Sequence, residues 1–368
     1  MKTKILPADP RAGYLRHAAE IDAAIRRVLQ NGSYILGPEN EAFEREFAVW
    51  LGTTGAVTVA NGTDALELAL RAAGLGPGDK VVTVANTVTA TVAAILATGA
   101  TPVFADVDPD TLLLDPAALE QLLAGRDRSI KAVVPVHLYG QCADMPRILE
   151  LAETHRLTVI EDCAQAHGAT VGGRPAGTWG RLAAFSFYPT KNLGALGDGG
   201  AVASQDPALL EQVRWLRQYG WRRRYVSEIT GRNSRLDELQ AAILRVFLPH
   251  LEAANAHRAT LAARYLERLR SAPLTLPMVA PGRTHVWHQF VVRTPQRDAL
   301  QAHLEAFGII SGILYPVPIH RQPATYRAEL TLPVTERACA EVLSLPLHGG
   351  LQPADIDTVC EAVLAWRP

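Results

Sequence analysis

The sequence predicts an α/β fold: a mostly parallel central sheet flanked by helices, followed by a smaller C-terminal domain. Three observations predict it. Short apolar runs that read as buried strands alternate with segments of helical spacing over the first half of the chain. Residues able to do chemistry (Thr63, Asp162, Ser186 and Lys191) stand at or just past the ends of those runs, where open α/β sheets collect ligands. Finally, 368 residues with 48% hydrophobic and 20% charged content suffice for a large core and more than one domain.

The elements follow in order. Ala18 to Leu29 has helical spacing in Ile21, Ala24, Ile25 and Val28, and Asn31-Gly32 is a plausible C-cap. Gly37-Pro38 breaks the chain, and Glu39 to Leu51 resumes the helical pattern through Phe43, Phe47 and Trp50. Ala56 to Ala60 reads as a strand. Asn61-Gly62-Thr63-Asp64 then leads into a helix over Ala65 to Ala73. Such a strand–turn–helix start offers free N–H groups and a helix dipole to a phosphate. Plain N-capping by Thr63 or Asp64 explains the same residues.

Beyond Gly76-Pro77-Gly78 the alternation continues. Val81–Val84, Val103–Val107, Ala132–Leu138 and Thr158–Asp162 read as strands; Thr89–Ala97, Leu119–Leu123 and Met145–His155 read as helices. Asp162 closes an apolar run. A carboxylate there is costly to bury without a partner, which leaves two readings: a helix N-cap, or the partner of a buried cation.

Leu182 to Phe187 is a further buried strand. It ends at Pro189, and Lys191 follows in a loop with Gly194, Gly197, Gly199 and Gly200. By itself Lys191 is either a surface lysine in a flexible connection or an amine held for a Schiff base with a carbonyl cofactor. Pro207 to Tyr219 is helical. The basic stretch Gly220–Arg235 is irregular, and in it Arg222, Arg223 and Arg224 form either a solvated loop or a diphosphate contact. A helix from near Leu236 toward His250 and another over Glu252–Leu269 follow. Pro273–Arg283 reads as a linker, His288–Arg293 as a strand, and Asp298–Phe307 and Pro353–Ala365 as helices. These place a domain boundary near residue 250, with a large domain over 1–250, a small α+β domain over 251–368, and the N-terminal helix a candidate to pack on the latter.

Several chemistries are disfavoured. Lys191 precedes its glycines, the wrong order for a Walker loop, and no G-x-G-x-x-G opens a helix after an early strand. H-E-x-x-H and G-x-S-x-G are absent, so metal and α/β-hydrolase chemistry lack support and no metal is expected. A net charge of −1 gives no general attraction for nucleic acid or an anionic membrane. Cys142, Cys163, Cys339 and Cys360 show no paired spacing and read as buried free thiols in a reducing compartment. Without an apolar leader or a run of about 18 apolar residues, a cytoplasmic chain is expected.

Six segments taken together resemble one family: N-G-T-D-A-L (Asn61–Leu66), P-V-F-A-D-V-D (Pro102–Asp108), V-H-L-Y-G (Val136–Gly140), E-D-C-A-Q-A-H-G-A (Glu161–Ala169), the run Phe185–Ala201, and G-R-N-S-R-L-D-E-L-Q-A-A-I-L (Gly231–Leu244). The sequence is similar over nearly its whole length to the DegT–DnrJ–StrS nucleotide-sugar aminotransferases, which have fold type I and depend on pyridoxal 5'-phosphate. The resemblance implies that Lys191 is the catalytic Schiff-base lysine and that Asp162 pairs with the pyridine nitrogen. It implies that Gln165 touches the ring's phenolic oxygen and that Gly62, Thr63 and Ser186 hold the phosphate. Asn233 would reach that phosphate from the partner subunit of a homodimer with shared sites. Tyr188, Arg222 and His320 are candidate substrate contacts; a structural role for His320 is the alternative. Where the family often places an aromatic ring over the pyridine, this chain has Val88, which implies either weaker stacking or a part for the preceding Asn86 and Thr87.

The stretch Arg217–Gly220, with Tyr219 where the carbon-4 branch tends to carry histidine, is similar to the branch acting on carbon 3 of dTDP-3-keto-6-deoxyhexoses. The expected activity is transfer of an amino group, with L-glutamate as donor. Carbon-4 sugars, amino-cyclitols and a non-catalytic regulator of the same fold are the alternatives.

Overall fold

The computed structural model describes residues 4–325 and 327–367. Seven strands form the central sheet: β1 (Gly55–Val59), β2 (Lys80–Val84), β3 (Thr101–Ala105), β4 (Ile130–Val133), β5 (Thr158–Asp162), β6 (Leu182–Ser186) and β7 (Gly200–Ser204). Their spatial order is β1-β7-β6-β5-β4-β2-β3. Neighbours from β6 to β3 pair in parallel, and β7 runs antiparallel to both β6 and β1. The mostly parallel sheet expected from the apolar runs is therefore present.

The helices of this half are α1 (Pro10–Arg16), α2 (Ala18–Asn31), α3 (Pro38–Leu51), α4 (Gly62–Ala72), α5 (Thr89–Ala97), α6 (Pro116–Leu123), α7 (Met145–His155), α8 (Pro207–Leu216) and α9 (Glu238–Phe247). They cover both sheet faces. Side chains alternate along a strand, so Ile160, Leu182, Ala184 and Val202 pack with α4, α5 and α8. Val159, Ala183, Phe185 and Ala201 face α3, α6 and α7 instead. Gly32 ends α2 in the left-handed conformation (φ +68°), as the Asn31-Gly32 signal implies.

The remaining elements are α10 (Leu251–Arg268), β8 (Phe290–Arg293), α11 (Arg297–Ala306), α12 (Pro333–Glu341), β9 (Val342–Leu345) and α13 (Pro353–Ala365). All but α12 contribute to a separate apolar cluster around Tyr265, Phe290, Leu300, Leu343 and Val359, whereas Val334 and Ala338 of α12 pack with the core of the first half. The N-terminal segment reaches this region: Ile5 bridges to Ile309, and Arg16 donates to the Gly349 carbonyl at 2.6 Å.

Three sequence expectations change. β7 lies where only a glycine loop is expected, because G-A-V-A-S carries too little apolar bulk to stand out. The strand expected over Ala132–Leu138 ends at Val133, and a single turn of tighter helix occupies Leu138–Gly140. The third concerns the start of α4. Asn61, rather than Thr63 or Asp64, is the N-cap, its side chain accepting from the Asp64 N–H at 2.8 Å. The helix thus begins at Gly62, three residues earlier than the apolar spacing suggests. No described helix is long and apolar enough to cross a membrane. All four cysteines are free and buried.

Candidate active site

The site residues converge at the carboxyl ends of β1, β5 and β6, on the sheet face covered by α4 and α5. Chain packing there is close. A Cβ on Gly62 would lie 2.6 Å from the Cβ of Ser186, so only glycine lets the first turn of α4 sit against the end of β6. Asn61 caps one N–H of that turn. The N–H groups of Gly62 and Thr63, at the positive end of the helix, are left for an anion beside the Ser186 hydroxyl.

Asp162 ends β5 and is 7% exposed. Its Oδ2 accepts from the Thr91 hydroxyl at 2.9 Å, and its Oδ1 accepts from the Ala164 N–H at 3.2 Å. Thr91 spends its only proton on the carboxylate. The 2.9 Å contact between Thr87 and Thr91 therefore runs from the Thr87 hydroxyl to the Thr91 oxygen, giving a polarised chain that ends on Asp162. Both threonines are 1% exposed and lie around the first turn of α5. Val88, between them in sequence, is 37% exposed and Asn86 is fully buried. The pattern thus turns Asn86 and Thr87 inward and Val88 outward.

Lys191 follows β6, its N–H donating to the Tyr188 carbonyl at 2.8 Å. Burial pushes its ammonium down to about 8, opposed in part by the charge of Asp162. Close by, His167 is packed between Phe185 and Phe187 with neither ring nitrogen hydrogen-bonded; burial and the Lys191 charge hold it down to about 3, so it stays neutral.

Gln165 is fixed from both ends: its Oε1 accepts from the Tyr139 N–H at 2.7 Å, and its Nε2 donates to the Tyr315 hydroxyl at 3.2 Å. Burial and then the Asp162 charge raise Tyr315 to about 12, keeping it a neutral phenol. Gly62, Thr63, Asp162, Gln165, Ser186 and Lys191 are thereby gathered at one end of the sheet.

The other candidates are placed differently. Tyr188 donates its N–H to Ser186 Oγ at 3.3 Å and leaves its ring 53% exposed. Arg222 lies on a small hairpin, paired with Glu228 at 3.2 Å and stacked over Trp215 at 4.0 Å. Asn233 is exposed and bridges to Gln218 at the base of that arm. His320 is fully buried, with Nε2 2.9 Å from Glu336, an arrangement that matches the structural alternative for this residue.

Thr87, which the sequence names beside Val88, helps build the site, as do Thr91, Tyr139, Tyr315 and His167, which no sequence feature singles out. Thr91 could have been found as a polar residue on the buried side of an otherwise apolar helix. Tyr139 and Tyr315 carry no comparable local signal.

The gathered groups fit one cofactor chemistry: a neutral-capable amine, a buried carboxylate with acceptor capacity left for a cationic partner, and a glycine-tight helix start for a phosphate. The comparisons with known proteins agree. One relative is a dTDP-3-amino-3,4,6-trideoxy-alpha-D-glucose transaminase of Streptomyces venezuelae, 49% identical over 97% of this chain and 95% of its own. Another is a UDP-N-acetyl-3-dehydro-alpha-D-glucosamine 3-aminotransferase of Acidithiobacillus ferrooxidans, 44% identical over 98% and 97%. Among solved structures, S. venezuelae DesV in complex with a ketimine intermediate superposes with a TM-score of 0.94 at 49% identity, over 98% of this chain and 97% of that one. Residues 16–364 match the DegT/DnrJ/EryC1/StrS aminotransferase family. The chain belongs to that family and is a pyridoxal-phosphate-dependent sugar aminotransferase.

Proposed function

We propose that this enzyme transfers an amino group from L-glutamate to carbon 3 of a dTDP-linked 3-keto-6-deoxyhexose. The observation that carries the transaminase chemistry is the juxtaposition of Lys191 with the under-coordinated Asp162 carboxylate at the sheet end. The carbon-3 reading is supported by Tyr219 in the Arg217–Gly220 stretch and by the names of both relatives, which share that carbon while differing in nucleotide.

Pyridoxal phosphate, when bound, supplies the electron sink that acidifies the donor's α-hydrogen. The protein's own groups do the rest. The α4 start and Ser186 would hold its phosphate. Asp162, oriented by the Thr87–Thr91 chain and the Ala164 N–H, would keep the ring nitrogen protonated by ion pairing. Lys191 would hold the cofactor through its Nζ, and its amine, pushed down by burial, would move the proton at the donor's α-carbon. Tyr188 and Arg222 remain candidate sugar-nucleotide contacts, while burial against Glu336 favours a structural role for His320. Asn233 is assigned to the phosphate of a partner subunit in a homodimer, a role its exposure permits. The division into 1–250 and 251–368 is supported by the separate apolar cluster around Tyr265 and Phe290.

The test is the reverse half-reaction. The pyridoxal form is offered dTDP-3-amino-3,6-dideoxyhexoses and dTDP-4-amino-4,6-dideoxyhexoses separately with 2-oxoglutarate, and glutamate is measured. Turnover confined to the 3-amino sugars is expected. Turnover of the 4-amino sugars refutes the carbon-3 reading, and repetition with UDP-linked 3-amino sugars tests the nucleotide.

A further inference from the structure

A cavity of about 280 Å³ lies between the N-terminal segment, α10 and the loop that carries Lys191. Asp162, Gln165, Ser186, Gly62 and Thr63 take no part in its wall, so it is not the cofactor-phosphate end of the site. Its ionisable lining is strongly one-sided. Arg16, Lys191, Arg258 and five histidines (His17, His250, His257, His288 and His348) face a single acid, Asp9, which already accepts from the Ala12 N–H to cap α1.

Arg258 is the unusual member. It is 8% exposed, and its Nη1 donates only to carbonyls, those of Leu347 (2.9 Å) and Trp287 (3.3 Å). No described carboxylate pairs with it. Arg264 and Arg268 on the same helix both pair with Asp357, at 2.6 and 2.9 Å. A buried guanidinium without a counter-charge is costly, and burial lowers Arg258 to about 10. Burial, then the Lys191 and Arg258 charges for His288 and the Arg258 charge for His348, holds both below their ordinary range, so both are neutral.

The histidine tautomers follow from their bonds. His348 Nδ1 accepts from the Gly350 N–H at 3.2 Å, so its proton sits on Nε2, a donor. Asn192 gives its amide protons to Asn255 and Val286, so its oxygen accepts from His288 Nδ1–H at 3.2 Å. Phe247, Leu251 and Ala254 contribute apolar wall.

We propose that this cavity is a second ligand site, built for a small organic carboxylate. The planar guanidinium matches a carboxylate's two oxygens, and the apolar wall suits a short carbon chain. The volume lies just under the range of about 300–1,000 Å³ that takes drug-sized ligands, too small for a nucleotide sugar. Since residues 189–192 and 194–196 form part of the wall, an occupant rests directly on the loop holding the catalytic amine.

Glutarate is the probe, because it has neither an amino nor a keto group to transaminate. Calorimetric titration of the pyridoxal-loaded enzyme is expected to show one saturable site per chain, weakened at least about tenfold in Arg258→Gln. Ala254→Phe fills the cavity without changing charge and should abolish binding while leaving the circular dichroism spectrum intact; it keeps the test decisive if Arg258→Gln fails to fold. Absence of saturable heat at millimolar glutarate overturns the proposal. So does binding that survives both substitutions, since the acid then sits outside this cavity. Inorganic phosphate binding more tightly than glutarate in the same cavity overturns the carboxylate assignment.

Discussion

Glu161 and Asp162 are neighbours at the end of β5, and the two sheet faces treat them in opposite ways. Glu161 is fully buried on the α3/α7 side and has a full set of donors. Its Oε1 accepts from the Trp179 and Gly180 N–H groups, both at 2.8 Å, and its Oε2 from Gly177 N–H at 2.8 Å and His137 Nε2 at 2.9 Å. The proton on His137 Nε2 follows from its Nδ1 accepting from the Ala143 N–H at 3.1 Å. Asp162, on the α4/α5 side, has two donors for the same number of lone pairs. A carboxylate saturated inside the protein holds a loop to a strand. One left half-satisfied at a sheet end, facing a buried lysine, keeps capacity for a ligand's charge. Burial alone would single out Glu161, the less exposed of the two; counting hydrogen bonds shows which residue has chemistry left to do.

The largest effect should come from Lys191→Ala, which removes the amine assigned to the chemistry: transamination, followed as glutamate formation, falls to background while the circular dichroism spectrum is unchanged. Asp162→Ala and Glu161→Ala then separate the neighbours. Asp162→Ala should weaken cofactor retention and cut turnover by a factor corresponding to about 3–5 kcal/mol, with a small change in urea midpoint. Glu161→Ala strands three N–H groups and a histidine donor, so a stability loss of about 3–5 kcal/mol is expected in urea, with catalysis following the folded fraction. Equal stability losses in the two variants would erase the distinction.

The pH dependence sharpens the same comparison. Lys191 has a folded pKa of about 8, below its ordinary 10.5 because of burial. Below about pH 8 it is charged in both folded and unfolded chains and its burial destabilises the apoprotein. Between about 8 and 10.5 the unfolded chain holds the extra proton, so this contribution to stability improves with rising pH. The free amine appears over the same range, so the rate at which apoenzyme takes up pyridoxal phosphate should rise through about pH 8. Asp162→Asn removes the charge that holds this value up and should move the rise to lower pH. Glu161→Gln should leave it in place. The smallest effect belongs to Thr91→Val. Loss of one hydroxyl bond to a charged acceptor corresponds to about 1.5–3 kcal/mol, read as weaker cofactor retention in equilibrium dialysis, with stability little changed.

Much of this architecture is written locally. Thr89–Ala97, Met145–His155, Thr158–Asp162 and Pro353–Ala365 have the bounds their residue patterns predict, since a 3.6-residue or strand-like apolar run needs only its own neighbours to be read. Lys191 among its glycines and Asp162 at a strand end were legible for the same reason. What the chain alone left open depends on contacts between distant segments. G-A-V-A-S becomes β7 only because β1 and β6 present edges on either side of it. Asn61 takes the cap once Gly62 is drawn against Ser186, which leaves Thr63 uncommitted. Thr91 meets Asp162 across 71 positions, and Glu161 collects its donors from 177–180 and His137. Local sequence determined which residues could form strands, helices and a reactive loop. Tertiary packing decided which of two adjacent carboxylates was satisfied and which stayed available, because hydrogen-bond saturation depends on what the rest of the chain brings within three ångströms.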